Sequence, residues 1–235
     1  MNDFKKLGVI GHPISHSKSP IIHQYWIEKH GLQGSYEILD IPPKDLPRAL
    51  PELIDQGYSG FNLTVPHKQL ALGICDEIDD IARGVGAVNT ITVANNKMIG
   101  TNTDVFGFIE NIAQCQPGFD FTGGPAIILG AGGAARAAVY GLLARGASEI
   151  IVLNRTREKA ENLASMNNDK VKVMDWSARN DALHSATLLV NTTTLGMSGQ
   201  LDLDIDLDAL PTTALVNDIV YAPLQPPLCN VAACT

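Results

Sequence analysis

Gly130, Gly132 and Gly133 lie between a short apolar run, Ala126–Leu129, and good helix formers from Ala134 onward. That order reads as strand, tight turn and helix start. Glycines let the backbone turn sharply and approach a diphosphate with no Cβ in the way, and the free N–H groups and dipole of the new helix favour the anion. Ala135 takes the third small position of a Gly-x-Gly-x-x-Ala fingerprint, which lets helix and strand pack closely. A second strand, Glu149–Leu153, ends in Asn154-Arg155-Thr156-Arg157, with Lys159 close behind. An acidic residue at that tip would accept hydrogen bonds from ribose hydroxyls in an NAD site. Asn154 followed by cations suits a 2′-phosphate, so the expected cofactor is NADP. The alternative is a glycine turn in an α/β domain that binds nothing.

Further polar clusters fall at strand or loop ends: Ser15 with Ser17, Asn62 with Thr64 and Lys68, Asn89, and Asp104. Reduction of a ketone by NADPH needs a proton donor beside the oxygen as hydride arrives. A lysine ammonium supplies one, and a nearby carboxylate holds it in place and favours its charged form. Lys68 and Asp104 fit those roles. The remaining hydroxyls and amides suit a polyhydroxylated acid, with Ser15 and Ser17 donating to a carboxylate. Each residue also has a plain structural reading. Ser17 and Ser19 can cap a helix, Lys68 can be a solvated first-turn lysine, and Asp104 can cap the helix that follows it.

These residues need an α/β frame. Lys6–Ile10, Tyr36–Leu39, Gly60–Val65 and Ala87–Val93 read as strands, with helices from Ile21, over Asp45–Gln56 and over Lys68–Asp76. Ile22, Tyr25 and Trp26 place an apolar stripe on the first helix, read as core rather than as a ligand-stacking surface. The alternation predicts a mostly parallel sheet to about residue 100, with a turn at Asn95-Asn96. After a helix over Val105–Gln114 comes the nucleotide unit, with a helix over Arg157–Met166 and strands at Val171–Met174, Thr187–Val190 and Leu215–Val220. The expected fold is an N-terminal α/β substrate domain, residues 1–103, followed by a Rossmann-type NADP-binding domain, residues 104–235.

A net charge of −8 argues against a nucleic-acid or anionic-membrane surface, so Arg155 to Lys159 reads as a local anion site. No apolar run is long enough to span a bilayer, and the start of the chain lacks a signal sequence; a cytoplasmic protein with free thiols at Cys75, Cys115, Cys229 and Cys234 is expected. Asp202, Asp204, Asp206 and Asp208 superficially resemble a calcium loop, but Leu207 replaces the required glycine and Thr213 the closing glutamate. His12, His16, His23 and His67 suggest a metal, yet Pro13 prevents His12 and His16 from lying one helical turn apart. No metal is expected.

GHPISHSKSP, NLTVPHK, GAVNT, TNTD, GAGGAARA, NRT and VNDIVYAP, in that order, resemble the shikimate dehydrogenase family over essentially the whole chain. The resemblance implies NADP-dependent, reversible reduction of 3-dehydroshikimate to shikimate in aromatic amino-acid biosynthesis, by a monomer or homodimer of two α/β domains with the active site in the cleft between them. It makes Ser15 and Ser17 the carboxylate-binding pair. Thr64, Lys68, Asn89 and Asp104 line the ring hydroxyls, with Lys68 as acid/base. Gly130, Ala131, Gly132, Gly133 and Ala134 form the diphosphate loop. Asn154, Arg155, Thr156 and Lys159 form the 2′-phosphate site. Asp80, Ile219 and Tyr221 fall where the family contacts cofactor or substrate. Thr64 in T-V-P leans toward the shikimate-specific branch; the quinate/shikimate branch often differs there and carries an acidic residue at the adenosine tip.

The family's T-P-L-L after the tyrosine reads Pro226-Pro227-Leu228-Cys229 here, and the sequence stops at Thr235. Family members continue through a Gly-Leu-Gly-Met-Leu stretch, a substrate-binding glutamine and helices that pack on the first domain. The expected consequence is exposed apolar surface on that domain and one lost substrate contact, about 1–3 kcal/mol. Two further readings therefore accompany the first: a quinate/shikimate dehydrogenase using NAD, and a truncated nucleotide-binding protein with little or no activity.

Overall fold

The computed structural model describes residues 4–232, with side chains as far as Cys229. Cys234 and the start and end of the chain lie outside the described residues. Two compact units divide between Thr103 and Asp104.

The first unit runs β1 (Lys5–Gly11), α1 (Ser19–Lys29), β2 (Gly34–Asp40), α2 (Leu46–Asp55), β3 (Tyr58–Leu63), β4 (Glu77–Ile78), α3 (Asp80–Val85), β5 (Thr90–Ala94) and β6 (Lys97–Thr101). They form a six-stranded sheet in the order β2-β1-β3-β5-β6-β4. The β2-β1-β3 part is parallel, as the alternation of strands and helices predicts. Beyond it the sheet is mixed, because β5 pairs antiparallel with both β3 and β6. Asn95 and Asn96 both have positive φ, 52° and 58°, which closes a two-residue hairpin between β5 and β6. The strand at Lys97–Thr101 is absent from the sequence reading. One sheet face packs Leu46 and Leu50 of α2 with Ile10, Phe61, Leu63 and Ile91. The other carries Val9, Ile14, Ile27 and Tyr36.

Two further elements differ from expectation. On α1, Tyr25 is 57% and Trp26 49% exposed, and Ile22 is exposed too. Ile27 is the buried residue of that helix, and His23, one turn before it, stacks on Tyr36. The i, i+3, i+4 spacing is thus real, but the stripe it marks does not face the sheet. Over 68–76 there is no α-helix, only a short 3₁₀ turn at Leu70–Gly73. The Lys68 carbonyl accepts from Val88 N–H at 2.7 Å instead of from the next turn of its own chain.

The second unit comprises α4 (Asp104–Cys115), β7 (Ala126–Leu129), α5 (Gly133–Ala144), β8 (Ile150–Asn154), α6 (Arg157–Ala164), β9 (Val171–Asp175), β10 (Leu188–Asn191), β11 (Leu215–Asp218) and α7 (Pro227–Ala232). Its five strands lie in the order β11-β10-β7-β8-β9, and every pairing is parallel. All four residues of β7 are buried, as a central parallel strand covered on both faces requires. Ala126 and Ile128 pack into one core with α5 and α6. Ile127 and Leu129 pack into another with Leu183, Leu207 and Leu228. In the 202–208 run the aspartates are exposed, while Leu203, Ile205 and Leu207 pack on that second core.

Candidate active site

In the first unit the loops after β1, β3 and the residues before β5 are tied together by backbone. Thr64 N–H donates to Ile10 O at 2.9 Å, and His12 N–H to Val65 O at 3.2 Å. Leu63 N–H donates to Asn89 O at 2.8 Å, and Val88 N–H to Lys68 O at 2.7 Å. Thr64, Lys68 and Asn89 are therefore set on neighbouring segments. Gly11 allows the crowding: a Cβ there would stand 2.6 Å from Thr64 Cγ2 and 2.7 Å from Ile14 Cδ1. Ser15 is exposed and Ser17 half-buried on the loop that follows. Ser17 N–H donates to Ile14 O at 3.0 Å, and Ser17 Oγ accepts from Ser19 N–H at 3.2 Å. The N-cap position of α1 is Lys18, whose side chain makes no capping bond. The first helical N–H, that of Ser19, is met by Ser17 instead, so the capping reading holds for Ser17 and is corrected for Ser19. Asp104 is the first residue of α4 rather than its cap.

Asn89 is 7% exposed. Its Oδ1 accepts from Thr103 N–H at 2.9 Å and from Thr90 Oγ1 at 3.0 Å. Its Nδ2 donates to Thr103 Oγ1 at 2.9 Å. Asn102, also buried, donates from Nδ2 to Ala87 O at 2.8 Å. The TNTD segment is thus bolted to the GAVNT segment, and Asp104 follows Thr103 in the chain. Sequence reasoning missed Thr90, Asn102 and Thr103; their signal was the run of short polar residues at the two strand ends.

His67 precedes Lys68 and is fully buried. Among the described residues neither ring nitrogen has a hydrogen-bond partner. Burial pushes its pKa down; the backbone of Ile41 and Gly11, near the ring but outside hydrogen-bond geometry, partly opposes this, His12 adds to it, and Asp40 opposes it. His12 Nδ1 itself sits 2.6 Å from Asp40 Oδ1. Among the described residues no cluster of three or more His, Cys, Asp or Glu could hold a metal.

In the second unit the glycine turn leaves the end of β7 at the switch point between β7 and β10, where an open parallel sheet binds its ligands. Gly130 has φ +108°, and a Cβ on it would meet Thr192 Oγ1 at 2.6 Å. Thr192 Oγ1 donates to Leu129 O at 2.7 Å, which locks the β10 loop against the turn. Gly132 is the N-cap of α5; nothing lies within 4 Å of a Cβ built there. The turn therefore presents open backbone at the start of a twelve-residue helix, which fits a diphosphate.

At the tip of β8, Asn154 Nδ2 donates to Thr156 O at 2.8 Å. Arg157 is corrected as a member of the anion site: it bonds Glu161 Oε1 at 2.8 Å and Asp175 Oδ1 at 2.7 Å. Arg155 and Lys159 are exposed and, among the described residues, have no ion-pair partner. They fit a 2′-phosphate. Ile219 is 40% and Tyr221 62% exposed just past β11, while Asp80 is exposed at the start of α3 in the first unit. No helix among the described residues is long and apolar enough to cross a membrane.

Residues 9–91 match the model of the shikimate dehydrogenase substrate binding domain, and residues 111–196 that of shikimate / quinate 5-dehydrogenase. A shikimate dehydrogenase (NADP(+)) of Paramagnetospirillum magneticum is 49% identical over 92% of this chain and 79% of its own length. Shikimate 5-dehydrogenase from Thermus thermophilus, solved with NADP(H) and shikimate, superposes with a TM-score of 0.85 at 34% identity, covering 98% of this chain and 84% of that one. Quinate dehydrogenase from Corynebacterium glutamicum, solved with NAD, gives 0.90 at 28% identity over 99% and 86%. With the glycine turn, the Lys68 loop and these matches together, the chain belongs to the shikimate dehydrogenase family.

Proposed function

We propose that this chain catalyses the NADP-dependent, reversible reduction of 3-dehydroshikimate to shikimate. The first unit (residues 1–103) binds the substrate, and the second (104–235) binds NADP. Ser15 and Ser17 donate hydroxyl hydrogen bonds to the substrate carboxylate. Thr64, Asn89 and Tyr221 meet its ring hydroxyls. Lys68 holds a proton at Nζ and delivers it to the ketone oxygen, and Asp104 keeps that ammonium charged and in place. In the reverse direction Lys68 takes the hydroxyl proton back. When bound, NADPH supplies the hydride. Backbone N–H groups from Gly130 through Ala134 hold its diphosphate, Asn154, Arg155, Thr156 and Lys159 hold the adenosine end, and Asp80 and Ile219 add contacts.

The observation that carries this reading is the Lys68 loop tied by its own carbonyl to the segment bearing Asn89, in one chain with a glycine turn and unspent cations at the next strand tip. Those cations favour NADP over the NAD of a quinate-type enzyme. The test is initial-rate NADPH consumption with 3-dehydroshikimate, repeated with NADH at equal concentration. Turnover with clear NADP preference supports the proposal; a preference for NAD overturns the role given to Arg155.

A further inference from the structure

The side chains linking β2, β3 and β5 of the first unit form a hydrogen-bond relay whose direction follows from one group that cannot turn round. Thr103 N–H is backbone, so Asn89 must present its oxygen to it, at 2.9 Å. Thr90 Oγ1 lies 3.0 Å from that same oxygen and must donate its single proton there. Toward Asn62 it can then only accept, so the nitrogen end of Asn62 faces it, at 3.2 Å. The oxygen end of Asn62 in turn accepts from Tyr36 Oη–H at 2.7 Å. Tyr36 is 7% exposed, and its ring stacks on His23 at 4.0 Å. Burial pushes its hydroxyl pKa up, which keeps it a donor.

We propose that Thr90 is a positioning residue for substrate binding: its hydroxyl sets the polarity of the Asn62 amide and holds that of Asn89. Asn62 is half-buried, and Nδ2 uses one hydrogen on Thr90. The second has no protein acceptor among the described residues. Asn62 lies two residues before Thr64, so both project from the same side of the extended chain. The relay therefore keeps an N–H donor, rather than a carbonyl, on the face that carries Thr64, where a substrate hydroxyl or carboxylate oxygen needs one. Without the Thr90 hydroxyl the two ends of Asn62 become equivalent, because Tyr36 Oη can donate to one and accept from the other. This inference rests on the function proposed above insofar as the ligand is shikimate.

The test compares wild type, Thr90→Val, which keeps the shape and removes the hydroxyl, and Thr90→Ser, which restores it. In shikimate oxidation, Thr90→Val should raise KM about tenfold while kcat stays within about twofold. Thr90→Ser should return KM to within about threefold of wild type. In the free protein, the side-chain amide NMR signals of Asn62 and Asn89 should shift and exchange faster in Thr90→Val, but not in Thr90→Ser. An unchanged KM in Thr90→Val, a Thr90→Ser variant no better than Thr90→Val, or unchanged Asn62 amide signals would overturn the proposal. A wild type that neither binds nor oxidises shikimate overturns the functional reading instead, and the amide signals then decide the polarity of the relay by themselves.

Discussion

The glycine turn offers two substitutions that should separate stability from nucleotide binding. At Gly130, φ is +108° and an added Cβ would meet Thr192 Oγ1 at 2.6 Å. An alanine there carries backbone strain of about 1–3 kcal/mol. It also displaces the Thr192 hydroxyl from Leu129 O, worth about 1 kcal/mol. Gly130→Ala should therefore lose about 2–4 kcal/mol, or roughly 6–12 °C in Tm at about 3 °C per kcal/mol. At Gly132 the backbone is extended, φ −87° and ψ −168°, and nothing stands within 4 Å of the new Cβ. Gly132→Ala should stay within about 1 kcal/mol of wild-type stability, since lost chain freedom in the unfolded state offsets a poorer cap. The methyl group would stand where the diphosphate approaches. Loss of one hydrogen bond to a charged group, about 1.5–3 kcal/mol, predicts roughly 10- to 100-fold weaker NADPH binding. Thermal melts without nucleotide and fluorescence titration with NADPH read the two effects. Wild-type affinity in Gly132→Ala, or a melt within about 2 °C of wild type in Gly130→Ala, would refute the reasoning.

Arg155→Ala should weaken NADP binding about tenfold or more and leave NAD binding unchanged, whereas Arg157→Ala, already engaged with Glu161 and Asp175, should change NADP binding by less than about threefold. Isothermal titration with both nucleotides checks the pair, and the reverse ranking would return Arg157 to the anion site. Buried His67, flanked by His12 and Asp40, binds its proton less readily folded than unfolded. The unfolded chain takes up that proton first, so stability is full above the ordinary histidine value of 6.5 and falls as pH drops below it. Urea midpoints across pH 5–8, run beside His67→Phe, should show that acid-side loss in wild type and a flatter profile in the variant; parallel profiles would remove His67 as the cause.

The second unit was legible because local signals coincide there. A buried four-residue strand, three glycines and a run of helix formers each point to one geometry. The state of Arg157 was hidden, because Asp175 reaches it from β9, eighteen residues on, and so was α7, whose Leu228 packs on a core that distant segments build. The first unit was less legible where tertiary contacts overrule local pattern. Lys68 gives its carbonyl to Val88 rather than to a helix. The stripe of Ile22, Tyr25 and Trp26 has helical spacing but stays about half exposed, while the side of the helix that packs carries Ile27 and His23, the latter stacked on Tyr36. The antiparallel β5–β6 pairing follows from Asn95-Asn96, visible as a turn, but its second strand, with Lys97 at its start and Gly100 near its end, carries no strong apolar pattern of its own. The roles proposed for Lys68 and Asp104 were first argued from residue chemistry, with ordinary structural readings beside them, and the family resemblance chose between the two.

The most direct measurement is NADPH oxidation by this 235-residue chain with 3-dehydroshikimate, beside Lys68→Ala. Wild type should turn over, and the variant should lose about 10²–10⁴ in kcat with little change in KM. Tight NADPH binding with no turnover by wild type, or a Lys68→Ala variant with unchanged kcat and a raised KM, would contradict Lys68 as the proton donor.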